Sequence, residues 1–361
     1  MVQLDKQFEC EQCGAALEFQ PGSQALACPY CGHENAIAAM EAAVEELDYH
    51  AALARAADTA DTEERLEAHC TSCGALSTLG PNVAADECPF CGTPIVKAAE
   101  THRVLKPGGV LPFKIRREDA RAAFRDWIQG LWFAPNTLKR RAKQTERLQG
   151  VYIPYWTYDC HAGTRYTGQR GEHYWVTEMH PVTVNGKTQM RARQVRKTRW
   201  YPASGHVQNN FDDVLVLASE SLPKAKTDAL EPWDLKNVAP YQDDYLSGFK
   251  AESYRVGLEA GFEHAKYRMD PVIRATIRRD IGGDEQRIHQ CSTQYSNITF
   301  KHILLPIWIS AYRYHNRIYR FLVNGRTGEV QGERPWSWVK ITFAVLAGLL
   351  IAGGIYLATQ M

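Results

Sequence analysis

The first hundred residues are short of basic side chains, and the whole chain lacks the glycine-rich loops of nucleotide-driven machines. From Met1 to Glu100 there are 4 Lys/Arg against 17 Asp/Glu, out of 42 and 41 in the 361 residues. No Gly-x4-Gly-Lys-Ser/Thr loop, Gly-x-Gly-x-x-Gly turn, His-Glu-x-x-His helix or Gly-x-Ser-x-Gly elbow occurs. The usual signatures of NTP-driven motors, dinucleotide enzymes, zinc peptidases and serine hydrolases are therefore missing, and the chain is expected not to be an enzyme. No basic stretch followed by an apolar run opens it. Without such a secretory signal its thiols are expected to stay reduced, which argues against a disulfide framework.

Eight cysteines are nevertheless arranged in a strict pattern. Cys10-Glu-Gln-Cys13-Gly, fourteen residues and Cys28-Pro-Tyr-Cys31-Gly are followed by Cys70-Thr-Ser-Cys73-Gly, fourteen residues and Cys88-Pro-Phe-Cys91-Gly. A Cys-x-x-Cys turn lets two thiolates close on one ion, and the following Gly accepts the turn's strained backbone. Two such turns joined by a hairpin offer four sulfurs in a tetrahedron, suited to zinc or to iron as in rubredoxin. Zinc ribbons are expected at 1–35 and 69–97, each with one Zn2+ and no open ligand position, so the metal is read as structural.

Charge weighs against nucleic acid as the ribbons' partner. The head carries a balance of −13, and each four-thiolate zinc site adds about −2 more. The remaining residues hold 38 basic and 24 acidic side chains. An acidic surface repels phosphates and would instead meet a basic protein or the chain's own body.

Between the ribbons, 36–68 reads as a helical linker, with Ile37, Met40, Val44 and Leu47 spaced by three and four. Residues 98–150 read as a helical segment: a helix over Glu118–Trp132, then, beyond Pro135, a basic one through Lys139, Arg140, Arg141, Lys143 and Arg147. The texture turns to β in the α+β body, 151–335, where Asn185-Gly186 marks a hairpin turn. The strand after it carries Arg191, Arg193, Arg196, Lys197 and Arg199, candidate contacts for an anionic partner, phosphate or acidic side chain. A helical stretch is expected over Tyr245–Arg268, with a fresh helix starting at Asp270-Pro271. Lys301-His-Ile-Leu-Leu-Pro306-Ile-Trp308 echoes Val151-Tyr-Ile-Pro154-Tyr-Trp156 and suggests an internal duplication. Cys160 and Cys291 lie in apolar-flanked β stretches and read as core cysteines, with Cys160 a weak candidate nucleophile.

Ile341–Ala358 is uncharged and apolar apart from Thr342 and Tyr356, so a transmembrane helix is expected at 339–359. Trp336 and Trp338 sit at its interfacial end, and Arg334 and Lys340 place that end in the cytosol. Ala344, Gly348 and Ala352 form a small-residue face through which two copies could pair as a homodimer.

Together the ribbons, Tyr152-Ile-Pro-Tyr-Trp156, Asp280-Ile-Gly-Gly-Asp-Glu-Gln-Arg287, Val323-Asn-Gly-Arg-Thr-Gly-Glu-Val330, Gly332-Glu-Arg-Pro-Trp336 and the terminal apolar helix resemble a group of bacterial membrane-anchored tandem zinc-ribbon proteins. These are often labelled as containing a transcription-factor-IIB-type ribbon, or as a primosomal helicase, a label the missing phosphate loop does not support. Some members are associated with phage-shock A-type and SPFH/flotillin-like proteins. The resemblance implies a non-enzymatic adaptor that recruits such proteins to the cytosolic face of the inner membrane in envelope stress. A nucleic-acid-binding ribbon protein, gripping phosphates through Arg191–Arg199, is the competing expectation.

Overall fold

The computed structural model describes residues 8–38, 40, 43–55, 62–72, 74–78, 85–96, 99–136, 148–184, 187–314 and 317–360. It is a β-rich α+β protein with cysteine clusters near its N-terminus and one apolar helix at its C-terminus. The body is built on three very long strands: β1 (Gln149–Val184), β2 (Lys187–Leu217) and β3 (Glu285–Tyr314). β1 lies between the other two and runs antiparallel to both, and β4 (Arg317–Asn324) pairs back onto β3. Val184 opposite Lys187 leaves two residues for the turn, as the Asn-Gly pair requires. Those two residues lie outside the described set.

Helix α2 (Arg117–Gly130) forms where the apolar spacing places it and buries Ala120, Phe124 and Ile128. Phe124 stacks on Phe321 of β4 with ring centroids 3.5 Å apart. Helix α3 (Leu258–Ile281) packs on β1 and β2 through a stripe that includes Phe262, Ala265, Met269, Ile273 and Ile277. This corrects the expectation of a new helix at Asp270-Pro271. The apolar stripe runs through Pro271 without a break, and Pro271 faces solvent, where the carbonyl its missing N–H leaves unpaired can bond water.

The helical linker expected at 36–68 is also corrected. Glu34–Ala36 is a strand of ribbon 1, Leu47–Asp48 pairs with Thr299 and Phe300, α1 spans only Tyr49–Arg55, and Thr62–His69 is a strand. Long-range partners override helix propensity here. Ile37 is buried, its N–H donating to Gln24 O at 2.9 Å, and Val44 packs against Gly109. Within 98–150, Ala99–Leu105 and Gly109–Val110 are strands rather than helix, and the expected basic helix at 139–147 lies outside the described residues.

The two Pro-x-Trp segments pair with each other: Tyr152 faces Pro306 and Pro154 faces Leu304. Trp156 Nε1 donates to Val256 O and Trp308 Nε1 to Ile115 O, each at 2.8 Å. Each tryptophan thus holds the chain two residues ahead of a helix, α3 and α2 respectively.

A half-buried salt cluster ties the 43–48 segment to the sheet. Lys301 Nζ lies 2.7 Å from Asp213 and 3.2 Å from Glu46, while the Asp213 N–H donates to Asp159 at 2.5 Å. Burial, the largest cause, pushes the Asp159 carboxyl up to about 6. The folded protein therefore keeps a proton that the unfolded chain has lost, and this contribution to stability disappears as pH rises from the ordinary aspartate range through about 6. Asp159→Asn is expected to flatten that slope and to raise stability at pH 7 by about 1 kcal/mol. Urea melts at pH 4.5 and 7 check it; an unchanged pH dependence would show that Asp159 titrates normally.

Candidate metal centres and a membrane-length helix

In ribbon 1 the strands Glu18–Phe19, Ala25–Ala27 and Glu34–Ala36 form an antiparallel sheet that presents two turns to each other. In the first turn the Gly14 N–H donates to Cys10 O at 2.8 Å, and in the second the Gly32 N–H donates to Cys28 O at 3.0 Å. Both glycines have φ of +73°, a conformation other residues adopt only with strain. The four Sγ atoms of Cys10, Cys13, Cys28 and Cys31 lie within 4.8 Å of one another, Cys10 to Cys31 at 3.5 Å and Cys13 to Cys28 at 3.4 Å. A disulfide needs about 2.05 Å, whereas four thiolates around one zinc stand roughly 3.8 Å apart. The residues therefore fit a tetrahedral metal site. The Cys31 backbone N–H, opposed by burial and joined by the Tyr30 N–H, pulls the Cys28 thiol down to about 6, while the Cys13 and Cys31 thiols lie above their ordinary range, so the cluster takes its first negative charge at Cys28.

Ribbon 2 repeats the construction. Gly74 and Gly92 have φ of +77° and +70°, and their N–H groups donate to Cys70 O and Cys88 O at 2.8 and 2.9 Å. Cys70, Cys88 and Cys91 come together, with Cys70 Sγ 3.5 Å from Cys91 Sγ. Cys73 lies outside the described residues.

The ribbons differ in what their second turn does. Tyr30 and Phe90 occupy the same place in the two Cys-Pro-x-Cys turns, yet Tyr30 is 83% exposed and Phe90 is fully buried. Phe90 sits in a cluster with Leu111, Ile153, Leu305 and Leu322, and its carbonyl accepts from Arg320 Nε at 3.0 Å. Ribbon 1 docks instead by its sheet, Phe19 lying edge-on to Tyr245 at 5.3 Å, which leaves its second turn facing out. Phe90→Ala is accordingly expected to cost about 3–5 kcal/mol and Tyr30→Ala no more than about 0.5 kcal/mol. Paired denaturant titrations decide this, and equal costs would refute the asymmetry.

Helix α4 (Trp338–Gln360) is exposed from Thr342 to Thr359, and over Trp338–Thr359 its mean hydropathy is 2.2. By length and composition it can span a membrane. Its root is held to the body by the loop after α2. The Ser337 N–H donates to Phe133 O at 2.8 Å, and Lys340 Nζ donates to Trp132 O, Ala134 O and Asn136 Oδ1 at 3.1, 2.9 and 2.8 Å. The loop also lays Phe133 against Trp336, ring centroids 6.3 Å apart, and Trp132 beside it is 74% exposed.

The basic residues expected to meet an anion stand on a two-stranded ribbon. Arg191, Arg193, Arg196, Lys197 and Arg199 are all exposed. Lys197 is engaged with Glu178 at 2.5 Å and Arg199 lies over the Tyr174 ring at 5.0 Å. Cys160 is buried, its thiol donating to Met269 Sδ at 3.7 Å, and burial pushes it up to about 11, which leaves it protonated near neutrality.

No family model and no solved structure matches the chain. It is similar to an uncharacterized protein, YdjG, of Bacillus subtilis strain 168, with 27% identity over 355 residues that cover 98% of this chain and 96% of that one.

Proposed function

We propose that the chain is a non-enzymatic, membrane-anchored adaptor in which two zinc ribbons are held on a β body at the cytosolic face of a bacterial inner membrane. The observation that carries this reading is the contrast between the two second turns: ribbon 2 is plugged into the body by Phe90, while ribbon 1 offers Tyr30 to solvent. A structural metal explains why such small modules hold their shape, and a free tyrosine on a rigid turn is a suitable anchor for a protein partner. Zinc is the ion that four thiolates with no open position favour. Arg334 and Lys340 set the orientation of α4, and the small-residue face of Ala344, Gly348 and Ala352 is a route to a homodimer. The resemblance described above supplies the class of client, phage-shock A-type or SPFH-like membrane organisers. We read the paired Pro-x-Trp segments, each tryptophan holding the entrance of a helix, as the trace of a duplicated helix-hairpin unit.

A photo-crosslinking amino acid in place of Tyr30 tests the reading in cells. A discrete protein adduct at the membrane is expected; nucleic acid in the adduct, or no adduct, would sink it.

A further inference from the structure

β3 stops pairing with β1 at Gly171 opposite Glu285. Beyond that point Glu172–Val184 and Lys187–Arg199 continue as a ribbon of two strands, about 40 Å long at roughly 3.3 Å per residue. Both of its outer edges are without a neighbouring strand among the described residues. A two-stranded ribbon is marginal in water on its own, so its side chains should show what covers it.

Directly opposed residues share a face, and the register sorts the arm into two unlike sides. One carries the pairs Glu172–Arg199, Tyr174–Lys197, Val176–Val195, Glu178–Arg193 and His180–Arg191. The other carries His173–Thr198, Trp175–Arg196, Thr177–Gln194, Met179–Ala192 and Pro181–Met190. On this second side Trp175, Met179 and Met190 are 64%, 55% and 56% exposed. The segment 172–199 holds six basic residues and two acidic ones, and both carboxylates are already engaged, Glu172 with Arg170 and Glu178 with Lys197. Arg191 and Arg193 make no ion pair among the described residues.

We infer that this arm is a peripheral lipid-binding element that lies on an anionic bilayer surface, with the Trp175–Met179–Met190 side in the interface, Arg196 opposite Trp175 on that same side, and the long side chains of Arg191 and Arg193 reaching round the ribbon's unpaired edges to the phosphates. It is the strand counterpart of an amphipathic interfacial helix, which carries aromatic and aliphatic residues on one face and Lys/Arg on the other. A bilayer accounts for both sides at once. The acidic head of a second copy would match the cations but leave Trp175, Met179 and Met190 in water. The inference rests on the anchorage by α4 proposed above, which keeps the arm near a membrane at high effective concentration.

The test is backbone amide exchange of the full-length protein in nanodiscs of phosphatidylcholine alone and of phosphatidylcholine with phosphatidylglycerol. Peptides from 172–184 and 187–199 are expected to exchange on the order of tenfold more slowly on the anionic discs, while α3 exchanges equally on both. Arg191→Gln with Arg193→Gln, and separately Trp175→Ser with Met179→Ser and Met190→Ser, should each abolish the difference and leave α3 unchanged. Equal exchange of the arm on the two discs would overturn the inference. Strong protection on both, persisting in detergent, would overturn it in favour of a protein cover. A chain that elutes free of either disc would overturn the anchorage, and this inference with it.

Discussion

Replacing Cys28 by Ser is expected to remove one of about two bound zinc ions and to unfold ribbon 1 while the β body stays folded. The ribbon's buried apolar side chains are few, Leu17, Phe19, Leu26 and Ile37 besides the cysteines, and its strands are two or three residues long. Such a module cannot offset its own chain entropy, whereas structural zinc contributes about 10–16 kcal/mol to folding in comparable peptides. Cys28 is buried and the hub of its turn, accepting the Cys31 and Tyr30 N–H groups, so no neighbour can take its place. The expected readout is loss of one metal by elemental analysis, with fast proteolysis confined to residues 8–38. The matching Cys88→Ser change should release ribbon 2, whose Phe90 is seated in another of the body's core clusters, and both variants should melt at a lower temperature, because Leu17, Phe19 and Leu26 of ribbon 1 also pack in a core cluster with Phe113, Tyr152 and Trp308. Two metals retained in either variant, or a visible sulfur-to-iron band in the wild type, would refute structural zinc.

The second large effect concerns α4. Deleting residues 341–361 is expected to move essentially all of the protein from salt-washed membranes to the soluble fraction. The deleted stretch is apolar, and exposed from Thr342 to Thr359, and its transfer from water to lipid is favourable by about 0.8 kcal/mol for each buried methylene. Lys340 is kept, so its three bonds to the 132–136 loop remain and the body is expected to melt as before. If the arm binds anionic lipid, the truncated chain should still associate weakly at low salt and lose this at high salt. Retention in salt-washed membranes after the deletion would refute α4 as the anchor.

Features set by local chemistry were legible in the sequence. The cysteine spacing requires glycines at positive φ directly after each pair, and Gly14, Gly32, Gly74 and Gly92 are there. Asn185-Gly186 placed the hairpin, and the apolar run from Ile341 placed α4. What sequence pattern misassigned depends on partners distant in the chain. Ile37, Val44 and Leu47 have helical spacing, but they contact ribbon 1, Gly109 and Phe300 rather than one another's face. Pro271 carries a helix-start signal that the packing of Met269 and Ile273 overrides. Tyr30 and Phe90 stand in identical motifs, and only the docking of each ribbon separates an exposed ring from a buried one. The two-sided arm was half visible: the period of two gave the basic face, but the opposed Trp175, Met179 and Met190 emerge only with the register.

What the chain binds at the membrane separates an adaptor from a nucleic-acid-binding protein. Full-length protein and a Cys10→Ser, Cys13→Ser variant should be purified side by side from gently solubilised native membranes, with protein and nucleic-acid content both measured. An adaptor predicts a stoichiometric membrane-organising protein that accompanies the wild type and is lost with ribbon 1. Nuclease-sensitive nucleic acid without such a protein, or the same partners on both forms, would contradict it.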